Sequence, residues 1–463
     1  MKQLSAIDAG FLYAETSRTP MHVTALQIYE PGAAPFSFAQ IVDNVRQRAA
    51  SIECYHRKLV NVPWGLDHPY WINDADFDPS HHMFEYTLAE PGGWTELCAA
   101  TAELHAKPLD RTKPLWEMHI IPALGKLAGI ADNAYAIVTK IHHAAVDGLA
   151  GISVTGALHD LEPAASPVKT PEIAQEARPT PMVLLSRSTI KDAVRPLRAL
   201  YALPALARAS SASLPAFAPR TRFNGRVSGR RVFNALHFQL ESLQTIKRLS
   251  PGATINDVIL TIVGGGLRKY LRTHNELPDH SLTAMIPVST RKTGNQPDEG
   301  NRLSQIVVPV GTHIDNATDR LRAIQQASAA AKQQEQHLDR DTTGALAQFA
   351  ELPPAPWLAF AAQAIQPDVF PPLANTVITN VKAPPVPLYS CGAKLVRAYG
   401  TGPLVDGASL FHAAMSYCGA LNLSVMSCAE ILPDLSFYLR CLQDTYAELT
   451  SAVATHAEAP KPD

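Results

Sequence analysis

Apolar and polar positions along "AYAIVTKIHHAAVDGLAGI", residues 134–152, follow the pattern of a strand that runs into a tight loop and then a helix. With the period of two that strands impose, Tyr135, Ile137, Thr139, Ile141 and His143 share one face. Ala136, Val138, Lys140 and His142 share the other, so the two histidines are expected to point oppositely. Upstream, "MHVTALQIYE" reads as a strand. In "SFAQIVDNVRQRAA", Ser37 is placed to cap a helix whose Phe38, Ile41 and Val45 recur at helical spacing. Downstream, the pattern predicts a helix from "TINDVIL", strands in "SLTAMIPVS", "SQIVVPV" and "NTVITNV", and paired strands around "YCGA". Leu435, Leu439, Leu442, Tyr446 and Leu449, spaced four, three, four and three, predict an amphipathic helix near the end.

These α/β signals fall in two blocks separated by a Pro-, Ala- and Arg-rich stretch, "EPAASPVKTPEIAQEARPTP" through "ASSASLPAFAP". The expected organisation is therefore an α/β subdomain over residues 1–165, an interdomain segment over 166–219 and a second α/β subdomain over 220–463. A chain of 463 residues exceeds the size at which one hydrophobic core usually stops growing. Within the segment, Arg187, Lys191, Arg195 and Arg198 would line one helical side, with Val183, Ile190, Val194, Leu197 and Tyr201 as apolar partners, although Pro196 must end or kink the helix. Such a basic amphipathic helix suits an anionic membrane surface or an ordinary solvated face.

Forty basic residues against 42 acidic ones leave no whole-chain field to draw the protein to nucleic acid. Six cysteines without a CxxC pair favour reduced thiols and a cytoplasmic setting. Asp8 and Glu15 interrupt the apolar run a signal peptide would need, and no stretch approaches the roughly 18 apolar residues of a spanning helix. A soluble or peripheral protein is the expectation.

Candidate chemistry centres on the double histidine. Side chains pointing oppositely cannot ligate one metal, and no HExxH or third ligand accompanies them, so no metal is expected. Asp147 precedes a largely apolar helical segment whose free N–H groups it can cap, and Gly148 permits a tight turn. His143 thus stands at the edge of a loop fixed between strand and helix, a common position for a catalytic group. Thr254 and Asp257 have the spacing of a capping box, while Asn256 either supplies an amide N–H to a developing oxyanion or is an exposed helical residue. Gly264, Gly265 and Gly266 disfavour a helix unless close packing or backbone approach to a ligand offsets them, and they lack the frame of a phosphate loop. Trp116 is either core or a pocket wall; Gly300 and Asn301 form either a turn or a substrate contact.

"HHAAVDG" resembles the HHxxxDG motif of the bacterial wax ester synthase/acyl-CoA:diacylglycerol acyltransferase family. The resemblance extends over nearly the whole chain: "LSAIDAGFLYAETSRTPMHV", "KPLWEMHII", "GATINDVILTIVGGGLRKYL", "MIPVSTR" followed by Gly300 and Asn301, "NTVITNV" with "PLYSCGAKL", and "GPLVDG" occur in the family's order. Two departures are visible: "TNVKAPP" replaces the usual Ser-Asn-Val-Pro-Gly-Pro, and His412 stands where members commonly have asparagine.

The resemblance implies two acyltransferase-like subdomains, each a sheet with flanking helices, facing across a central channel. It implies acyl-CoA as a substrate rather than a cofactor, and a fatty alcohol or diacylglycerol as acceptor, giving wax esters or triacylglycerols at a peripheral membrane or lipid-inclusion surface. By it, His143 is the general base, and His142 and Asp147 orient the loop. Gly148, Trp116, Asn256 and Asn301 contact substrate, and Asp257 with Arg291 gives structural support, Arg291 as partner to Asp147. Two other readings stay open: a condensation-type transfer to an amine, which uses a similar HHxxxDG, and a non-catalytic lipid-surface scaffold.

Overall fold

The computed structural model describes residues 1–32, 36–146, 154–164, 172–174, 176–189, 217–289, 303–337, 355–364 and 371–458. Two six-stranded sheets, each with flanking helices, organise the chain. The first contains β2 (His22–Glu30), β5 (Met83–Glu85), β6 (Trp116–Ile121), β7 (Tyr135–His142), β12 (Tyr389–Ser390) and β13 (Ala393–Thr401), in the order β12-β13-β2-β7-β6-β5. The second contains β8 (Arg231–Gln239), β9 (Thr283–Ser289), β10 (Leu303–Pro309), β11 (Thr376–Lys382), β14 (Phe411–Tyr417) and β15 (Ala420–Cys428), in the order β10-β9-β11-β14-β15-β8. A small sheet, β1-β4-β3, joins Lys2–Gln3, Tyr70–Asn73 and Arg57–Val60.

The strands expected from sequence fall within these sheets, and the alternation along β7 separates two cores. Tyr135, Ile137 and Ile141 pack with Ile41, Val42 and Val45 of α2 (Phe38–Ala49), whereas Ala136 and Val138 pack with Leu97 and Leu104 of α3 (Trp94–Ala106). Helix α2 starts at Ser37, whose hydroxyl accepts the Gln40 N–H at 3.4 Å. β14 and β15 form the hairpin anticipated around "YCGA", turning on Cys418 (φ 44°) and Gly419 (φ 81°). Both lie in the left-handed region that a two-residue hairpin turn of the twist-matched kind requires.

One connection was not anticipated. β13, far into the second block of sequence, pairs antiparallel with β2 from Lys394↔Glu30 to Thr401↔Thr24. The first sheet is therefore completed by strands from the other end of the chain. Helix α3 also bridges the halves: the Trp94 indole donates to Asn234 Oδ1 at 2.8 Å, and Leu97 shares a core with Phe233 and Met426.

The three glycines of "VGGGL" lie inside α4 (Ile255–Thr273), where packing explains them. A Cβ at Gly264 would run into the Val310 carbonyl, at Gly265 into Thr445 and Arg320, and at Gly266 into Leu442. The last two contacts come from α5 (Ala317–His337) and α7 (Leu435–Glu458), and close helix approach offsets the poor helix propensity of glycine. In α7, the expected stripe is seated as expected: Leu435, Leu439, Leu442 and Leu449 are buried and Tyr446 packs beside them.

Candidate active site

β7 is buried along its entire length, and its last residue, His142, lies opposite His22 of β2. His142 is fully enclosed and both of its ring nitrogens are engaged. Nδ1 accepts the Ala144 N–H at 3.0 Å, so the proton sits on Nε2, which donates to Glu15 Oε2 at 3.1 Å. The chain then leaves the strand: the His143 N–H donates to the Met21 carbonyl at 2.8 Å and the Ala145 N–H to the His142 carbonyl at 2.9 Å. His143 is half-buried, its ring stacked on Phe11 with centroids 4.1 Å apart and planes at 15°.

Both contacts come from one short helix. α1 (Ala6–Ala14) begins at Ser5, whose hydroxyl accepts the Asp8 N–H at 3.1 Å, and it ends at Glu15. Phe11 and Glu15, four residues apart, reach the two neighbouring histidines from the same side of the helix. Leu4, Ala9 and Leu12 share a small core with Ala144 of the histidine loop, Leu109 and Leu115.

Glu15 is a junction. It accepts the Met21 N–H at 2.8 Å, the His142 ring N–H, and Arg111 Nε at 3.0 Å; Arg111 also donates to the Leu12 carbonyl at 2.7 Å. Burial works to raise its pKa, but the bonds from His142 and Met21 together with the Arg111 charge hold the carboxyl down to about 2. It is a fixed anion at any ordinary pH.

Behind the histidines, the same face of β7 carries a polar cluster. Lys140 is wholly buried, donating to the Lys107 carbonyl at 2.8 Å and to Glu117 at 3.0 Å. His22 bonds the His105 carbonyl at 2.9 Å, and Thr24 bonds His105 Nδ1 at 2.8 Å. Burial drives His105 down to about 3 and lowers His22 as well, so both imidazoles are neutral. On the far side of the loop, residues 154–158 form a helical turn tied down by a buried ion pair. Arg48 meets Asp160 at 2.7 Å and donates to the carbonyls of Ala157 and His159.

The remaining sequence candidates are distributed unevenly. Asp147, Gly148, Arg291 and Asn301, with Lys191, Arg195 and Arg198 of the interdomain segment, lie outside the described residues. Trp116 is 1% exposed, sandwiched between Tyr55 (4.1 Å) and His82 (4.6 Å), its indole donating to the Tyr55 carbonyl at 2.9 Å. Both ring faces are occupied by protein, the geometry of a core residue. Asn256 is half-buried in the first turn of α4, and Asp257 closes the expected capping box, accepting the Thr254 N–H at 2.8 Å. His412 sits in the second core between Thr376 (2.9 Å) and Tyr438 (2.8 Å), which accounts for that departure by local hydrogen bonding. Glu15, Phe11 and Arg111 were missed as site residues. Glu15 and Phe11 lie inside the quoted amino-terminal block, but nothing local shows that they meet histidines more than a hundred residues away. Among the described residues, no group of three or more His, Cys, Asp or Glu is placed to hold a metal.

Known proteins resemble this chain in sequence and fold. The sequence matches the wax ester synthase/diacylglycerol acyltransferase catalytic domain over residues 4–259 and the WS/DGAT C-terminal domain over 299–450. It is 32% identical to a putative diacylglycerol O-acyltransferase of Mycobacterium tuberculosis, with 97% of this chain and 100% of that protein covered. It is 31% identical to the O-acyltransferase WSD of Acinetobacter baylyi, covering 96% of each. The solved wax ester synthase/diacylglycerol acyltransferase from Marinobacter aquaeolei VT8 superposes with a TM-score of 0.72 at 27% identity, over 98% of this chain and 100% of that one. The first condensation domain of the calcium-dependent antibiotic synthetase shares the fold more distantly, with a TM-score of 0.58 at 13% identity over 99% of each chain. With the double histidine, the two sheet-and-helix halves and the full-length matches in agreement, the chain belongs to the wax ester synthase/diacylglycerol acyltransferase family and is an O-acyltransferase acting on lipid acceptors.

Proposed function

We propose that this enzyme moves a long-chain acyl group from acyl-CoA to the hydroxyl of a fatty alcohol or diacylglycerol, with His143 as the general base. The observation that carries the assignment is the division between neighbouring histidines. His142 has both nitrogens committed, to Ala144 and Glu15, which leaves it no lone pair to take a proton; His143, its neighbour, is half-buried at the strand's end and stacked on Phe11. As the acceptor oxygen attacks the thioester carbonyl, its proton passes to the His143 ring. The tetrahedral intermediate then expels the CoA thiolate, and the imidazolium returns the proton to sulfur. A thiol is acidic enough, at a pKa of about 8.5 for cysteine, for its thiolate to leave without a covalent acyl-enzyme, and a positioned base is typically worth about 10²- to 10⁴-fold.

His142 and Glu15 are positioning residues in this scheme, holding the backbone that presents His143. Asp147 and Gly148 shape the loop, Arg291 pairs with Asp147, and Asn256 and Asn301 contact the substrate, as in the family resemblance. Trp116 supports β6 from the core. The enzyme works at the cytoplasmic face of a membrane or lipid inclusion, where its acceptors reside. Assaying purified protein with palmitoyl-CoA and, separately, hexadecanol, dioleoylglycerol or an aminoacyl thioester tests the reading. Ester formation with either lipid alcohol supports it; amide formation alone, or no transfer at all, defeats it.

A further inference from the structure

Large apolar side chains in water are normally scattered singly, and a concentration of them marks a contact surface. Here they gather on the elements around α1. The β3–β4 hairpin turns at Pro63–Gly65 and leaves Trp64 82% exposed. Trp64 has φ +55°, a left-handed conformation unfavourable for a bulky residue, yet its indole projects into solvent. Residues 181–189 form a helix seated on that hairpin through Leu184, which packs with Val60, Val62 and Tyr70, and its start leaves Met182 75% exposed. β1 pairs with β4 and leads directly into α1, where Ile7 is exposed. Against α1 packs α6 (Ala355–Ala364), a ten-residue helix without a single charged residue. Its Trp357 (70% exposed) and Phe360 (72% exposed), one turn apart, lie on the same side.

We propose that these residues form one docking face for a phospholipid surface, holding the enzyme against the phase that carries its acceptor; the proposal rests on the lipid acyl transfer set out above. Charge singles out this occupant. Neither helix has an acidic residue, and their one charged side chain is Arg187, exposed and close enough to Tyr70 of the hairpin to act on its hydroxyl. Exposed tryptophan, phenylalanine and methionine on a hairpin and on two helices that carry one arginine and no acidic residue suit the apolar side of an anionic headgroup boundary better than they suit water. Position singles it out too. The same α1 that joins these elements carries Phe11 against His143 and packs Leu4, Ala9 and Leu12 around Ala144. A lipid-bound face would therefore lie on the subassembly that holds the reacting loop.

The test compares wild type with a quadruple variant, Trp64→Ser, Met182→Ser, Trp357→Ser and Phe360→Ser. Both are sedimented with phosphatidylcholine–phosphatidylglycerol vesicles containing dioleoylglycerol. Loss of four exposed apolar anchors should lower partitioning at least about tenfold. Transfer from palmitoyl-CoA to vesicle-borne dioleoylglycerol should fall in step, while transfer to a short-chain alcohol in buffer stays within about twofold. Brominated acyl chains should quench tryptophan emission in wild type but not in Trp64→Phe/Trp357→Phe, because Trp71, Trp94 and Trp116 are buried or half-buried. Unchanged vesicle binding in the quadruple variant, absence of quenching in wild type, or a changed oligomeric state with vesicle binding intact would overturn the proposal. Vesicle binding by a wild type that esterifies neither acceptor would defeat the acyl-transfer reading and leave the docking face standing.

Discussion

Replacing Glu15 by glutamine removes a charge from a site whose every neighbour is a donor. Glu15 Oε2 accepts from the Met21 N–H and the His142 ring, and Oε1 accepts from Arg111. An amide offers one acceptor oxygen and one NH2 group. Whichever way it turns, that NH2 faces either the Arg111 guanidinium or the paired Met21 and His142 donors. The carboxylate is 6% exposed and its pKa drops from 4.5 to about 2, so its ionised form stabilises the fold by about 3 kcal/mol. Glu15→Gln should cost that much at neutral pH, read as a lowered thermal midpoint. Because the folded pKa is depressed, the stabilisation is fully present above pH 4.5 and is lost as pH falls toward 2. The difference between wild type and Glu15→Gln should therefore shrink across that window. If the carboxylate also holds His142, and through it the His143 loop, kcat should fall by about 10- to 100-fold while KM for acyl-CoA changes by less than about threefold. A destabilised variant with unchanged kcat would make Glu15 merely structural; a variant unchanged in both would refute the network.

Breaking the Arg48–Asp160 pair, both side chains under 10% exposed, should cost about 3–5 kcal/mol for either Arg48→Met or Asp160→Asn, and a double-mutant cycle followed by thermal denaturation should show strong coupling. Trp116→Ala should lower stability by about 3–5 kcal/mol because it empties the space between Tyr55 and His82; a loss of acyl transfer at unchanged stability would restore a direct substrate role. Gly264→Ala should destabilise the second half despite alanine's better helix propensity, since its methyl would strike the Val310 carbonyl; an unchanged or raised denaturation midpoint would contradict the packing account.

Local patterns in the sequence carried far. The alternation along residues 135–142, the Ser37 cap, the Thr254–Asp257 box and the leucine stripe of α7 each depend on neighbours within a few residues, and each is found in place. What the sequence withheld depends on long-range contacts. Nothing in "AKLVRAYGT" says that it pairs with residues 24–30 rather than with its own half, because a strand's period of two fixes its faces but not its partner. Likewise Glu15 resembles any exposed acidic residue until α1 folds over the histidine loop. The same holds for Trp116, where an aromatic between Leu115 and Glu117 reads equally as lining or core until Tyr55 and His82 close on both faces. The double histidine was legible as a candidate, whereas the way His142 is held required the hydrogen bonds of Ala144 and Glu15.

The division of roles between the two histidines is tested most directly by measuring transfer from palmitoyl-CoA to hexadecanol by His143→Ala and His142→Ala, with circular dichroism and thermal melts run on both. His143→Ala should remain folded and lose about 10²- to 10⁴-fold in kcat, the usual contribution of a general base, while His142→Ala should lose less activity and more stability. Folded His143→Ala with near wild-type turnover, or equal small losses in the two variants, would contradict the assignment of His143 as the base.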